Sequence, residues 1–518
     1  MRYRSLSFHE SMPDLRAIEL GAKLGFNDVC FQTENGTVGP VAALAKRAAA
    51  SGLFSMIQSL GMQVSVWVHE FADLDPAWGP VAIDNDALWR GLSERYAHML
   101  DAVIPEVDTL VLTVAETDIW VTDDPELLVR LCQTLHAACA ARSKRLMLRS
   151  FIYHPDECER VAQAIAQLPD EVAIMTKATP QDWHLRSVDH PLLGRVGSKQ
   201  QVVEFDVTGE YWRGTHLAHA WPGQLTERFA SWREHAIDGM SVRVDRGWGP
   251  WNGGQHRIVG RTQEASLWAL AALLDDKPAE TGIRNWARER YGAGSEDALV
   301  RIVDHAEAVV AESLCVATET FGDTRNSIPG DRSLIDRSGS VHTQSAYDDD
   351  HDSNGRNPFY RNWSSWRWGD QPERSATYQA LRRGDPQIIA AKRAALAAAS
   401  TRADAALSEL EACPAITGSD RHILRFQLEE NRYHLHAMAH CQLAWLHATQ
   451  ALYAPDTAAQ HQAQAEAELQ ALATLHAAHR DDSCVGLRLG EPIYLKRGTY
   501  WEVEKFIAVM REAFSFEK

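Results

Sequence analysis

The sequence predicts an α/β protein: a (β/α)8 barrel over residues 1–275, followed by a mainly α-helical C-terminal domain over 276–518. Three observations carry this expectation. Short β-like runs near 3–8, 28–32, 63–69, 108–115, 145–152, 172–176, 201–207 and 239–244 number eight, the count at which parallel strands close a barrel. Between them lies text such as PVAALAKRAAASGLFSMIQSL and CERVAQAIAQL, with apolar residues at the three- and four-residue spacing of an amphipathic helix. Beyond about residue 276 the alternation stops and helical text takes over.

Composition narrows the choice of partners. At 518 residues the chain is long enough for more than one domain, and 45% hydrophobic with 24% charged residues is ordinary for a globular protein. A formal charge of -18 argues against a nucleic acid or an anionic membrane as partner, because both are held mainly by Lys and Arg. Eight cysteines, at 30, 132, 139, 158, 315, 413, 441 and 484, show no CxxC spacing or compact framework and read as free thiols. The start, MRYRSLSFHE, lacks the apolar stretch of a signal peptide, and no uninterrupted apolar run approaches the ~18 residues of a membrane span.

Ligands of (β/α)8 barrels gather at the C-terminal strand ends, so each strand exit is a candidate position. The first strand ends at His9-Glu10, the second at Gln32 and Glu34-Asn35-Gly36, the third at Trp67, His69 and Glu70. The two His-Glu pairs have ligand chemistry, but no H-E-x-x-H or carboxylate cluster accompanies them, and no metal is expected. The fourth run, VDTLVLTVAETDIW, places Glu116 just past a long apolar stretch as the candidate general acid, with Asp118 as the alternative. The fifth, RLMLRSFIYHP, carries Arg149 in apolar surroundings, where arginine is rarely buried without a partner. Its planar guanidinium can grip a ligand carboxylate or pair with an internal acid. The sixth opens onto Lys177, Pro180 and Asp182, and the seventh delivers Glu204, Asp206 and Glu210. Past the eighth, a glycine-rich loop holds Trp248 and Trp251.

The stretch from 171 to 222 resembles the alpha-glucuronidase family of glycoside hydrolases. That family carries K-x-x-P-x-D-[FW], matched by Lys177, Pro180, Asp182 and Trp183, and then P-L-[FL]-G, matched by Pro191 to Gly194. Its E-[FL]-x-[IV]-T-x-E-Y is matched by Glu204, Phe205, Val207, Thr208, Glu210 and Tyr211, and its closing histidine-leucine pair and proline by His216, Leu217 and Pro222. Asp182 and Glu210 stand 28 positions apart (210 − 182), the offset of the family's paired catalytic carboxylates. The family's R-x-F-x-Y is matched by Arg149, Phe151 and Tyr153, and Trp251, Ala269 to Leu274, Ile283 and Trp286 parallel its later segments. In the fourth strand the family reads V-K-A-D-S-E: Glu116 is the nearest match to its proton donor, and its lysine falls on Leu112. Family members usually begin with a separate β-sandwich-like domain, whereas this chain enters barrel text at once.

The resemblance implies an inverting glycosidase acting on an α-linked uronic acid of an oligosaccharide, as in xylan degradation. Glu116 would protonate the leaving oxygen, and Asp182 and Glu210 would activate water on the opposite face. Arg149 and Lys177 would bind the sugar carboxylate, and no cofactor is expected; independently of the resemblance, Trp248 and Trp251 on their glycine-rich loop could stack on the ring. The alternatives are a non-hydrolytic carbohydrate-binding barrel and a metal-dependent sugar isomerase using the His-Glu pairs. The expected location is cytoplasmic, with small imported substrates.

Within the C-terminal domain, an irregular insertion near 321–385 is rich in aromatics, among them Phe359, Tyr360, Trp363, Trp366 and Trp368, and could line a sugar site. Its run Asp348-Asp349-Asp350-His351-Asp352 lacks the spacing of a calcium loop and reads as a solvated turn. From 386 to about 480 the text is that of bundle helices, whose His434, His436 and His440 read as core or surface residues. A homodimer through this helical domain is a further expectation.

Overall fold

The computed structural model describes residues 1–9, 13–33, 37–71, 73–114, 124–150, 152, 155–179, 185–186, 189–209, 217–246, 258–317, 319–320, 376–377, 379–381, 383–480 and parts of 503–511. Eight parallel strands close a barrel in chain order: β1 (Tyr3–His9), β2 (Asp28–Gln32), β3 (Gln63–His69), β4 (Thr109–Thr113), β5 (Arg145–Arg149), β6 (Ala173–Lys177), β7 (Gln201–Asp206) and β8 (Gly239–Arg246). β8 pairs with β1, which closes the ring of strands.

Side chains on a strand alternate between two faces. Here Leu6, Phe8, Val29, Phe31, Val64, Val66, Val68, Leu110, Leu112, Leu146, Leu148, Ile174, Val203 and Phe205 join the core beneath the helices. Their neighbours Tyr3, Cys30, Trp67, Val111, Met147, Ala173, Met175 and Val202 pack together inside the barrel. At the N-terminal end of the lumen, Asp28 accepts hydrogen bonds from Tyr3 Oη (2.8 Å), Ser5 Oγ (2.6 Å) and Ser65 Oγ (2.6 Å). Burial pushes its carboxyl up to about 6 despite these three hydroxyls, so this end is closed by a satisfied polar plug.

Among the described residues, ten helices belong to the barrel and its immediate cover: α1 (Leu15–Lys23), α2 (Val38–Ser51), α3 (Leu53–Ser59), α4 (Asp86–His98), α5 (Pro125–Ala140), α6 (Pro155–Gln167), α7 (Pro222–Glu234), α8 (Glu264–Leu274), α9 (Ala279–Tyr291) and α10 (Glu296–Leu314). Several starts are written in the sequence. Asn85 accepts from Ala87 N and Leu88 N, and Asp124 from Glu126 N and Leu127 N, satisfying amides that a first turn leaves without partners. The start of α7 is capped from outside instead: Glu307 on α10 accepts from Gly223 N (3.0 Å) and Gln224 N (2.9 Å).

Longer helices follow: α11 (Pro386–Ala412), α12 (Gly418–Tyr453) and α13 (Ala458–Arg480). Ala406, Leu410, Cys413, Ile416, Leu424 and Leu428 belong to the same continuous core as the barrel's outer face. Farther out, α12, α13 and residues near 506 share a second core built on Met438, Trp445, Leu469, Leu472 and Phe506. Seven cysteines are buried and unbridged, with Cys484 outside the described residues. No described helix is long and apolar enough to cross a membrane.

Candidate active site

Above the apolar middle of the lumen, the C-terminal ends of β1 to β8 carry a polar layer. Arg149, 4% exposed, turns one edge of its guanidinium onto Glu204: Nε donates to Oε2 (2.7 Å) and Nη2 to Oε1 (3.2 Å). Its third nitrogen, Nη1, lies 3.5 Å from Thr113 Oγ1. The guanidinium carbon sits 4.3 Å from the centre of the Trp67 ring, a cation–π contact that holds it from beneath. Arg243, on β8, donates from Nη2 to Gln32 Oε1 (2.7 Å) and stands 3.5 Å from Glu204 Oε1. Gln32 in turn donates to Ser7 Oγ.

Glu204 is the hub of this layer. Burial works to raise its carboxyl, but Arg149, then Arg243 and Lys177, outweigh that and hold it below the usual glutamate range. Lys177 is in register with Glu204 on the neighbouring strand and is 2% exposed. Asp206 is half-buried and accepts from Thr208 N (2.7 Å), which bends the chain out of β7. Arg149, Lys177 and Glu204, far apart in the chain, thus meet in one buried layer beneath the mouth. The expected grip of Arg149 on a ligand is qualified by this geometry, because its Nε–Nη2 edge already holds an internal acid. Lys177 shares its strand face with the lumen residues Ala173 and Met175.

Two further expectations change. Leu112 packs beneath the helices, and the lumen-facing neighbour is Thr113, so a lysine at 112 could not reach the mouth. Glu70 does not share a site with His69. It accepts from Phe71 N (2.9 Å), Tyr96 Oη and Arg95 Nη1 (3.4 Å), binding the exit of β3 to α4, and burial raises its carboxyl. Among the described residues no cluster of His, Cys, Asp or Glu could hold a metal ion.

Arg243 was not singled out in the sequence, although a cation inside the apolar run SVRVDR carries the same signal that marks Arg149. The remaining candidates, Glu116, Asp118, Asp182, Glu210, Trp248 and Trp251, lie outside the described residues. So do Glu10, Glu34 to Gly36, Phe151, Tyr153, Pro180, Trp183, His216 and the aromatics of the insertion.

No protein-family model matches this sequence, and neither does any curated protein. Among solved structures, the chain is similar to a glycoside hydrolase of family GH138 that targets pectin rhamnogalacturonan II. The TM-score is 0.58 at 11% identity, over 92% of this chain and 63% of that one. The chain thus spans less than two thirds of that enzyme's length. Fainter similarity links it to a GH30 endoxylanase from Clostridium papyrosolvens (TM-score 0.34, 10% identity, 54% of this chain and 73% of that one). A sugar phosphate isomerase/epimerase from Parabacteroides distasonis stands at a similar distance (0.33, 14%, 54% and 96%). The first likeness, spanning barrel and helical region together, shows that the architecture of this chain is that of a solved glycoside hydrolase; at this identity it is a likeness of fold.

Proposed function

We propose that the protein is a glycoside hydrolase that removes an α-linked uronic acid from an oligosaccharide with inversion. The observation that supports this best is the buried layer of Lys177, Arg149 and Arg243 around Glu204, in which Arg149, Lys177 and Glu204 belong to the glucuronidase-like motifs of the sequence. In this reading Lys177 attracts the sugar carboxylate as a point charge. Arg149, locked by Glu204 and Trp67, adds positive charge to the layer rather than a gripping edge. Glu116 protonates the departing oxygen, Asp182 and Glu210 orient and deprotonate a water on the far side of the ring, and Trp248 and Trp251 stack on the sugar. The roles of the three carboxylates come from the resemblance, and that of the two tryptophans from their place on a glycine-rich loop. Inverting enzymes leave ~6.5–9.5 Å between their carboxyl groups for that water.

The test compares catalytic efficiency on an α-linked uronoside and on its neutral glucoside analogue, for wild type and Lys177→Met. A charge-assisted hydrogen bond contributes about 1.5–3 kcal/mol, so wild type should prefer the uronoside by roughly ten- to hundredfold and the variant should lose that preference. Proton NMR of a fresh reaction should show the β-anomer first. A wild type that favours the neutral sugar, or an α-anomer appearing first, would defeat the proposal.

A further inference from the structure

The helices α12 and α13 face each other along a seam of histidines that the proposed chemistry does not use. The short connection 454–457 sends α13 back along α12, so residues two turns apart on one helix meet residues two turns apart on the other. His440 and His447 stand seven positions apart on α12 (447 − 440), as His461 and Glu468 do on α13 (468 − 461). His447 Nδ1 lies 3.1 Å from His461 Nδ1, with the two rings stacked at 5.4 Å, and His440 Nδ1 lies 2.7 Å from Glu468 Oε2. Arg393 reaches in from α11, its Nη2 donating to Glu468 Oε1 (2.8 Å) and to His447 Nε2 (3.2 Å). His447 is 3% exposed, and Ala444, Trp445, Ala465 and Leu469 beside this seam belong to the core that the two helices share.

These contacts assign the protons. Arginine only donates, so His447 Nε2 is the acceptor and the ring carries its proton on Nδ1, which donates to His461 Nδ1. Both rings are therefore neutral here. A proton added at His447 Nε2 would face the N–H of Arg393, and one added at His461 Nδ1 would face the N–H of His447. We propose that the His447–His461 pair is an acid-sensitive clasp: a proton gained by either ring breaks the contact between them, and α13 leaves α12 while the barrel stays folded. Among the described residues, the charged and titratable groups around His447 are Arg393 from α11 and His461 and Glu468 from α13. Farther along the seam, Glu466 pairs with Arg511, and His476 stands 3.9 Å from Glu504. Burial first, then Arg393 and His461, hold His447 down to about 4. Exposed histidine takes its proton near 6.5, so docking is complete above that value and weakens as pH falls toward the lower one. His440 works in the opposite sense, because a proton on it strengthens its contact with Glu468. That carboxyl stays charged: burial works to raise it, but His440 and then Arg393 outweigh this.

The experiment compares the full-length wild type with the double variant His447→Gln, His461→Asn. The Gln amide offers an acceptor to Arg393 and a donor to position 461, the Asn oxygen replaces the accepting nitrogen of His461, and neither side chain takes up a proton. Hydrogen exchange gives the protection of the α13 amides at about pH 7 and about pH 5, on either side of the ordinary histidine value. Taking the ratio of wild-type to variant protection cancels both the pH dependence of the exchange chemistry and the contribution of His440. From the higher pH to the lower, that ratio should fall roughly ten- to thirtyfold, the scale of one proton taken up on release. The same ratio for the amides of β1 to β8 should not change. An α13 ratio that is the same at both pH values would overturn the proposal, since the pair would then be an ordinary hydrogen bond. A fall shared equally by the strands would overturn it as well, because protonation would then unfold the chain rather than release one helix. Should the double variant fail to dock α13 at the higher pH, His447→Leu takes its place. It removes the buried titrating ring, while the half-exposed Arg393 and the half-buried His461 can reach water, and the same two outcomes decide.

Discussion

At Glu204 burial and charge pull in opposite directions, and the geometry decides between them. An isolated carboxyl with no exposure would favour its neutral form, yet two hydrogen bonds from Arg149, with Arg243 and Lys177 nearby, lower its proton affinity instead. A group whose folded pKa is depressed adds stability above its unfolded value, near 4.3 for glutamate, and that stability is lost as pH falls through the folded value. Glu204→Gln removes the charge that both arginines rely on and should cost about 3–5 kcal/mol, the range for breaking a buried pair from one side. Arg149→Met should also destabilise, because it takes the two hydrogen bonds from the same buried acid. The double variant should cost less than the two single changes together, by about 0.5–3 kcal/mol. Urea denaturation of the four proteins measures this; strict additivity would mean that the contact carries no energy of its own. Sequence alone could flag Arg149 as a cation needing a partner, but not choose that partner, because Glu204 lies 55 residues away and is brought close only when β5 and β7 pair on either side of β6.

At the scale of elements the strands were legible almost residue for residue, since each expected run falls on one of the eight strands observed. The face of each residue was less so. β4 reads Thr-Leu-Val-Leu-Thr, with Leu110 and Leu112 toward the helices and Val111 toward the lumen, so its apolar middle alone did not say which face carries the site, and only the threonines at its two ends mark the lumen side. The helices show the same division between what is local and what is not. Capping residues such as Asn85 and Asp124 are local signals, whereas the capping of α7 by Glu307 comes from α10. Close helix contacts are also invisible until the chain folds. Gly282 on α9 lies so near α8 that a Cβ there would stand 2.0 Å from Trp268 O and 2.7 Å from Ala269 Cα. In an exposed helix Gly→Ala gains about 0.5–1 kcal/mol from chain entropy. Here both obstacles are backbone atoms that cannot swing aside, and overpacking costs about 1–3 kcal/mol or more. Gly282→Ala should therefore lower stability. A rise in Tm would show that α8 and α9 can separate without loss.

Across the whole molecule, the hydrophobic core runs on past residue 275, the boundary expected from the sequence, through α9 and α10 and into the long helices. Leu410, Ile416, Leu424 and Leu428 pack into the core that underlies the barrel helices. At about 1.5–3 kcal/mol for each fully buried side chain of this size, releasing these four would cost ~6–12 kcal/mol. That is comparable with the ~5–15 kcal/mol by which a domain is stable at all. The first half of α12 therefore should not open while the barrel stays folded. α13 is in a different position, because the core that holds it is the second one, shared with the distal half of α12 and residues near 506. Its polar contacts also run to its own neighbours, with Glu468 meeting His440 (2.7 Å) and Arg393 (2.8 Å), and His461 meeting His447 (3.1 Å). Nothing in this set of contacts requires the barrel to unfold when α13 leaves. Native-state hydrogen exchange across a denaturant series separates the two cases. Amides of β1 to β8 and of α12 around Leu424 and Leu428 should merge into one global opening, with those of α13 exchanging through a smaller, earlier one. If the α12 amides near Leu424 and Leu428 instead exchanged with α13, at a free energy well below that of the strands, the shared core would carry no cooperativity and the helical region would be an independent unit set against the barrel.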